Sequence, residues 1–286
     1  MRTMGAHYHA RLQAVAAAET LQALEALPRP LARSWSEILP RLGSVHIQCE
    51  GVRYRYPGRT QDALADVSLT IPPAALTVLI GPSGAGKSTL ARLLLGFDLP
   101  RGGDIFVNGC NLATAEPESW RSQCGWLPQQ PVLLAGSIRE NIAPGEDEPD
   151  ASRLWEALAR VELEARVRSL PEGLETRVGQ GGRGLSGGEM RRLALARLFY
   201  SQPAFVVLDE PTASLDAETE AVISRAISEL ARNHTVLVIA HRLQTLREAD
   251  HLVMMEAGHV VAEGSPEAVA ERVPAVGRLL GGASRD

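Results

Sequence analysis

The sequence predicts an α/β fold: a mostly parallel sheet with helices on both faces and a helical subdomain inserted into it. Three observations predict it. Short, almost wholly apolar runs rich in Val and Ile recur at Leu76–Ile80, 204–208 and 235–240, the pattern of strands covered on both sides. A glycine-rich loop follows the first run directly and opens onto a helical pattern. Between the first two runs, residues 131–197 read mostly as helices punctuated by Pro144, Pro149, Pro171 and several glycines.

In chain order, residues up to about 27 are rich in Ala, Leu, Gln and Glu, with Leu12, Val15, Leu21 and Leu24 at helical spacing, before Pro28, Pro30 and Pro40 break the pattern. Residues 1–44 are therefore expected to form a helix and a linker. Alternation begins with Val45 and Ile47 and continues through Val52, Tyr54 and Tyr56 until Pro57 and Gly58 turn the chain. The main domain is expected over 45–286.

Composition narrows the function. Of 286 residues, 45% are hydrophobic and 22% charged, which suits a globular protein rather than a disordered one. The net charge of -5 speaks against a nucleic-acid partner, because phosphodiester binding draws on clustered Lys and Arg. Cys49, Cys110 and Cys124 have no metal-ligand or C-x-x-C spacing and suit a reducing compartment. No apolar run approaches the roughly 18 to 20 residues of a spanning helix, so a cytoplasmic chain is expected.

The chemistry sits at strand ends. Gly81, Pro82, Ser83, Gly84, Ala85, Gly86, Lys87, Ser88 and Thr89 fit the phosphate-loop pattern G-x-x-x-x-G-K-[ST], between strand and helix as that motif requires. Its glycines let backbone N–H groups wrap phosphate oxygens, Lys87 supplies a point charge, and Ser88 offers a hydroxyl to Mg²⁺. Asp209 and Glu210 end the second apolar run, where open α/β sheets bind ligands. Adjacent strand residues point to opposite sides, which would let Asp209 serve the Mg²⁺ shell while Glu210 faces an attacking water.

Leu185, Ser186, Gly187, Gly188 and Glu189 precede a helical pattern. Ser186 and Glu189 form an S-x-x-E capping box, yet two glycines in a first turn each cost a helix about 1 kcal/mol relative to Ala. Close approach of a phosphate to that backbone explains them. His241 closes the third run, Asp216 stands where an N-cap would start a helix, and Gln129 lies in a loop between Pro128 and Pro131. Tyr54 and Tyr56 could be a packed strand face or a base-stacking surface.

In order and spacing, these residues resemble the nucleotide-binding domain of ABC transporters over roughly 45–270. The resemblance implies a P-loop NTPase (RecA-like) core with an antiparallel β subdomain, and ATP and Mg²⁺ as ligands. It implies that Tyr56 stacks on adenine, that Gln129 and Asp209 join Ser88 at Mg²⁺, and that Glu210, Lys87 and His241 are catalytic. Leu185 to Glu189 would be the signature that meets the ATP of a second cassette, in a homodimer or with a sister subunit, and Asp216 would serve communication between the two. Residues 176–182 look like an exporter-specific loop.

A narrower resemblance, at residues 5–11, 16–19, 118–121, 126–129 and 135–142, is to the ATPase end of the heterodimeric exporter of cysteine or glutathione that supports cytochrome bd assembly. It implies that 1–44 is similar to the cytoplasmic end of a last transmembrane helix, and that an exporter's transmembrane domain holds the chain at the cytoplasmic face of the inner membrane. The alternatives are an exporter of lipid, peptide or drug, and a soluble non-transport ATPase. One position departs from the family pattern: Glu189 stands where Gln is usual, adding negative charge near a phosphate site.

Overall fold

The computed structural model describes residues 15, 17–22, 37–179, 185–213, 215–240 and 243–281. The chain divides into two compact units, Met1–Trp35 and Ser36–Asp286. In the first, residues 17–22 are helical.

In the second, β1 (Ile47–Tyr54) and β2 (Leu64–Ile71) lead to β3 (Leu76–Ile80) and α1 (Lys87–Leu94). Then come β4 (Gly102–Val107), β5 (Cys110–Asn111), α2 (Pro117–Arg121) and β6 (Cys124–Leu127). The inserted part holds β7 (Gly136–Ser137), α3 (Ile138–Ile142), α4 (Ala151–Arg160), α5 (Glu164–Arg168), β8 (Arg177–Val178) and α6 (Gly187–Ser201). Core strands return with β9 (Phe205–Asp209), α7 (Ala217–Ala231), β10 (Thr235–Ile239) and α8 (Leu243–Arg247). The hairpin β11 (His251–Glu256) and β12 (His259–Gly264) precedes α9 (Pro266–Arg272) and α10 (Pro274–Gly281).

The central sheet has the order β12-β11-β3-β10-β9-β6, parallel throughout except for the β11–β12 hairpin. Its middle strands carry no polar alternation because both faces are covered. In β9, Val206 and Leu208 join one core while Phe205 and Val207 join the other; in β10, Val236 and Val238 part from Leu237 and Ile239 in the same way. The first face is covered by α6 and α7 through Leu193, Ile223, Ile227 and Leu230. The second lies against Leu90, Leu93 and Leu94 of α1 and against the antiparallel sheet. Period-2 burial on two apolar faces is what makes each run continuous in sequence.

The antiparallel sheet has the order β2-β1-β4-β5. In β1 the buried phase changes from Ile47 and Cys49 to Val52 and Tyr54. A β-bulge between Cys49 and Val52, with Gly51 at φ 59°, absorbs the extra residue and keeps both pairs inward. The two sheets are joined at Thr235. Its buried hydroxyl accepts from Val45 N (2.9 Å) and Ala74 N (3.2 Å) and donates to Val45 O (2.8 Å). Trp120 on α2 adds a second joint: its ring stacks on Phe205, and Nε1 donates to Leu94 O at 2.8 Å.

Residues 37–44 belong to this unit. Glu37 bridges Ala115, Leu39 N donates to Ser119 Oγ (3.1 Å), and Leu42 N donates to Gln123 Oε1 (2.8 Å).

Candidate functional site

The loop after β3 is shaped by backbone that only glycine tolerates. Gly81 has φ 148°, and a Cβ there would fall 2.1 Å from Met255 O. Gly86, at φ 99°, is the N-cap of α1, and a Cβ would lie 2.6 Å from Ala63 O. Any side chain at either position would push the loop off its neighbours. The tip of the β11–β12 hairpin braces the loop from below: Gly258 N donates to Ala85 O at 3.1 Å, and Gly258 O accepts from Ala65 N at 2.9 Å. The sequence reading had no strands here, so this brace was missed; the positive φ of Ala257 and Gly258 marks a tight hairpin turn.

Lys87, the first residue of α1, is buried, and its ammonium is folded back on its own loop, donating to Gly81 O (2.7 Å) and Pro82 O (2.9 Å). Burial pulls its pKa below the ordinary lysine value, and the nearby charges of Glu210 and Asp209 pull the other way. A phosphate supplied at this point would satisfy an ammonium already desolvated and aimed into the loop.

Around the loop is a cavity of about 680 Å³. Ser83, Gly84, Gly86, Lys87, Ser88 and Thr89 line one side, with Tyr56, Gln129, Asp209 and Glu210 around them. Arg59, Thr60, Gln61 and Asp62, from the turn between β1 and β2, complete the rim; no motif in the sequence pointed to these four. Tyr56 is partly exposed, meets Tyr54 edge-on at 5.1 Å, and shares a 3.1 Å hydrogen bond with Thr89 through its hydroxyl. Its partly exposed ring lines the cavity as an aromatic surface on which a base can stack.

Asp209 ends β9, but Glu210 does not continue it. Glu210 has φ 47°, and its N–H donates to Ile239 O at 2.9 Å. The expectation that strand alternation separates the two carboxylates is thus corrected: a left-handed turn, held by one last ladder bond, aims Glu210. The Glu210 carboxylate accepts from Gln129 Nε2 at 2.6 Å, across 81 positions of sequence.

The signature segment lies elsewhere. Among the described residues lining the cavity, none belongs to 185–189. Ser186 caps α6 with a reciprocal capping box: Glu189 N donates to Ser186 Oγ (3.2 Å) and Ser186 N to Glu189 Oε2 (2.6 Å). Glu189 Oε1 meets Arg166 Nε at 3.0 Å. Burial pushes the Glu189 carboxyl up, but Ser186 and Arg166 together outweigh it and hold it below the usual range. The extra negative charge is thereby paired within the chain. Gly188 has a local reason, since a Cβ would come 3.1 Å from Thr219. Gly187 has none: a Cβ there would meet nothing within 4 Å, leaving its backbone open to an approaching group.

Asp216 caps α7, accepting from Thr219 N and Thr219 Oγ1, both at 2.9 Å. His241 and the end of the expected exporter-type loop, from 180 onward, lie outside the described residues.

Three comparisons give the chain its relatives. Residues 64–213 match the family described as ABC transporter. The uncharacterized ABC transporter ATP-binding protein YwjA of Bacillus subtilis is 39% identical over 217 residues, 74% of this chain and 38% of that protein. The fatty acid ABC transporter ATP-binding/permease protein of Mycobacterium bovis is 38% identical over 228 residues, 79% of this chain and 36% of that one. A solved structure of a bacterial Atm1-family ABC exporter with ATP bound superposes with a TM-score of 0.84 at 29% identity, covering 96% of this chain and 48% of that one. The chain thus spans well under half the length of these two curated relatives.

Proposed function

Because the chain belongs to the ABC transporter family and carries its ATP-hydrolysing domain, we propose that it is the ATP-driven half of an exporter. Residues 45–286 form the ATP-binding domain in this reading, and 1–44 join it to membrane helices. The observation that carries it is convergence: Tyr56, loop residues 83, 84 and 86–89, Gln129, Asp209 and Glu210, distant in sequence, line one cavity.

Adenine stacks on Tyr56, and the loop amides with Lys87 hold the phosphates, whose oxygens replace Gly81 O and Pro82 O as partners of the ammonium. Ser88, Asp209 and Gln129 offer hydroxyl, carboxylate and amide oxygens in the same cavity, a hard donor set that suits Mg²⁺ shared with phosphate. When bound, Mg²⁺ neutralises phosphate charge. Glu210 turns from Gln129 to a water and takes its proton as the water oxygen attacks the γ-phosphorus; the bond to the β-phosphate oxygen breaks and ADP leaves. His241 is assigned to the γ-phosphate side by the family resemblance alone.

The partner is a second cassette, a copy of this chain or a sister subunit, whose ATP is met by Ser186 and the open backbone at Gly187; Asp216 caps α7 and bonds Thr219, which lies against Gly188. The relative from Mycobacterium bovis is named as both ATP-binding protein and permease, which supports a transmembrane domain as the other partner. Among the described residues no helix is long and apolar enough to cross a membrane. The proposed place is the cytoplasmic face of the inner membrane.

Titration with a fluorescent ATP analogue tests the site. Lys87→Ala and Tyr56→Ala should each weaken binding about tenfold or more, a loss of at least about 1.4 kcal/mol; unchanged affinity in both would remove the site assignment. The narrower proposal is export of cysteine or glutathione, and its support is sequence resemblance. Vesicles holding this chain with its membrane segments and partner should move radiolabelled thiol with ATP; ATP turnover without thiol movement would point to lipid, peptide or drug instead.

A further inference from the structure

Arg191 lies on α6 just beyond the capping box of Ser186 and Glu189. Its guanidinium donates to main-chain carbonyls of two other segments: Nη2 to Gln129 O at 2.6 Å, and Nη1 to Ala213 O at 2.7 Å and Pro211 O at 3.3 Å. The first carbonyl belongs to the residue whose side chain holds Glu210. The other two belong to the turn that immediately follows Glu210 and that returns to it through Ala213 N, which donates to Glu210 O at 3.1 Å. Burial pulls the Arg191 pKa down and the Glu210 charge pulls it back up, as expected of a half-buried cation beside that carboxylate.

We infer that Arg191 is a positioning residue that ties the first turns of α6, which carry the signature, to the two segments that reorganise when ATP arrives. The inference rests on the proposed roles of Gln129 and Glu210 at the ATP site. The physical reason is the rigidity of the fork. A planar guanidinium fixes several carbonyls relative to one another, so a shift of Gln129 toward the metal, or of Glu210 toward a water, moves the acceptors of Arg191 and through them the helix that bears it. A network with two arrangements, one for each state of the site, is what coupling requires. Lysine, a point charge with three rotatable donors, would keep the charge and lose the fixed geometry.

Hydrogen exchange on the chain tests this, with and without Mg²⁺ and a non-hydrolysable ATP analogue, in the native sequence and in Arg191→Ala and Arg191→Lys. In the native chain, nucleotide should slow exchange in peptides over α1 and, by about threefold or more, in peptides over residues 185–195. Arg191→Ala should keep nucleotide affinity and the α1 response, with a melting temperature lowered only modestly by the carbonyls left without a donor, while losing the response at 185–195, and Arg191→Lys should restore part of that response. The inference is overturned if Arg191→Ala retains the full response at 185–195, if the native chain shows none there, or if affinity and melting temperature fall together with it, which would mark a structural stitch. Failure of the native chain to bind the analogue, with no response in α1, would instead overturn the ATP-site reading itself.

Discussion

By the family resemblance Glu189 stands where Gln is usual, and its surroundings decide what the added charge costs. Both carboxylate oxygens are engaged, one by the Ser186 amide and one by Arg166, whose side chain is 43% exposed against 16% for Glu189. A partly exposed ion pair of this kind is worth about 1 kcal/mol. Glu189→Gln keeps an oxygen for the cap and loses only the charge, so urea melts at neutral pH should place it within about 1 kcal/mol of the native chain. The sign with pH follows from the lowered carboxyl pKa. The ionised Glu189 adds stability above the unfolded glutamate value of about 4.3, and that contribution disappears as pH falls through the lower folded value. Glu189→Gln should therefore flatten the acid limb of the stability curve, and an unchanged acid limb would show the carboxylate to be unpaired in solution. A second prediction concerns Thr235. Its hydroxyl serves the buried amide and carbonyl of Val45 and the more exposed amide of Ala74, so Thr235→Val should destabilise by about 1 to 3 kcal/mol by leaving the buried pair unsatisfied, measured by the same melts.

At the scale of elements, α1 depends on the glycine before it. Gly86→Ala would force a Cβ against Ala63 O and Leu64 Cδ2 at a φ that L-residues avoid, so it should lower the melting temperature and ATP affinity together. Normal affinity would mean that the loop relaxes without cost. Trp120→Phe keeps the ring on Phe205 but leaves Leu94 O without its donor, which should cost about 1 to 3 kcal/mol. Much at this scale was legible. The phosphate loop is contiguous, the three apolar runs became β3, β9 and β10, and the capping box at Ser186 formed as its spacing implies. Three further strands of the central sheet were not legible. β6 has only four residues with exposed Trp126 among them, and β11 and β12 carry His, Glu and Gly within short runs. Tertiary pairing rather than local pattern makes these strands.

At the scale of the molecule, the site was legible as residue types but not as contacts. Gln129 was placed by resemblance, and its bond to Glu210 spans loops far apart in sequence. Arg191 was invisible because its acceptors are backbone carbonyls, which carry no sequence signal. The turn that aims Glu210 uses a non-glycine residue at φ 47°, which no motif announces; a conformation of this sort costs of order 1 to 3 kcal/mol and persists where surrounding structure fixes it. Ligand binding should act on the whole unit. ATP analogue at about 100 times its dissociation constant should stabilise the fold by about 2.7 kcal/mol, seen as a rise in melting temperature that Lys87→Ala reduces.

The most direct test of the central claim is ATP hydrolysis by the purified chain measured against protein concentration, beside Glu210→Gln. The account predicts Mg²⁺-dependent turnover that rises per molecule as chains pair, or on adding a sister cassette, and that Glu210→Gln abolishes while still binding ATP. Turnover that persists in Glu210→Gln would contradict it.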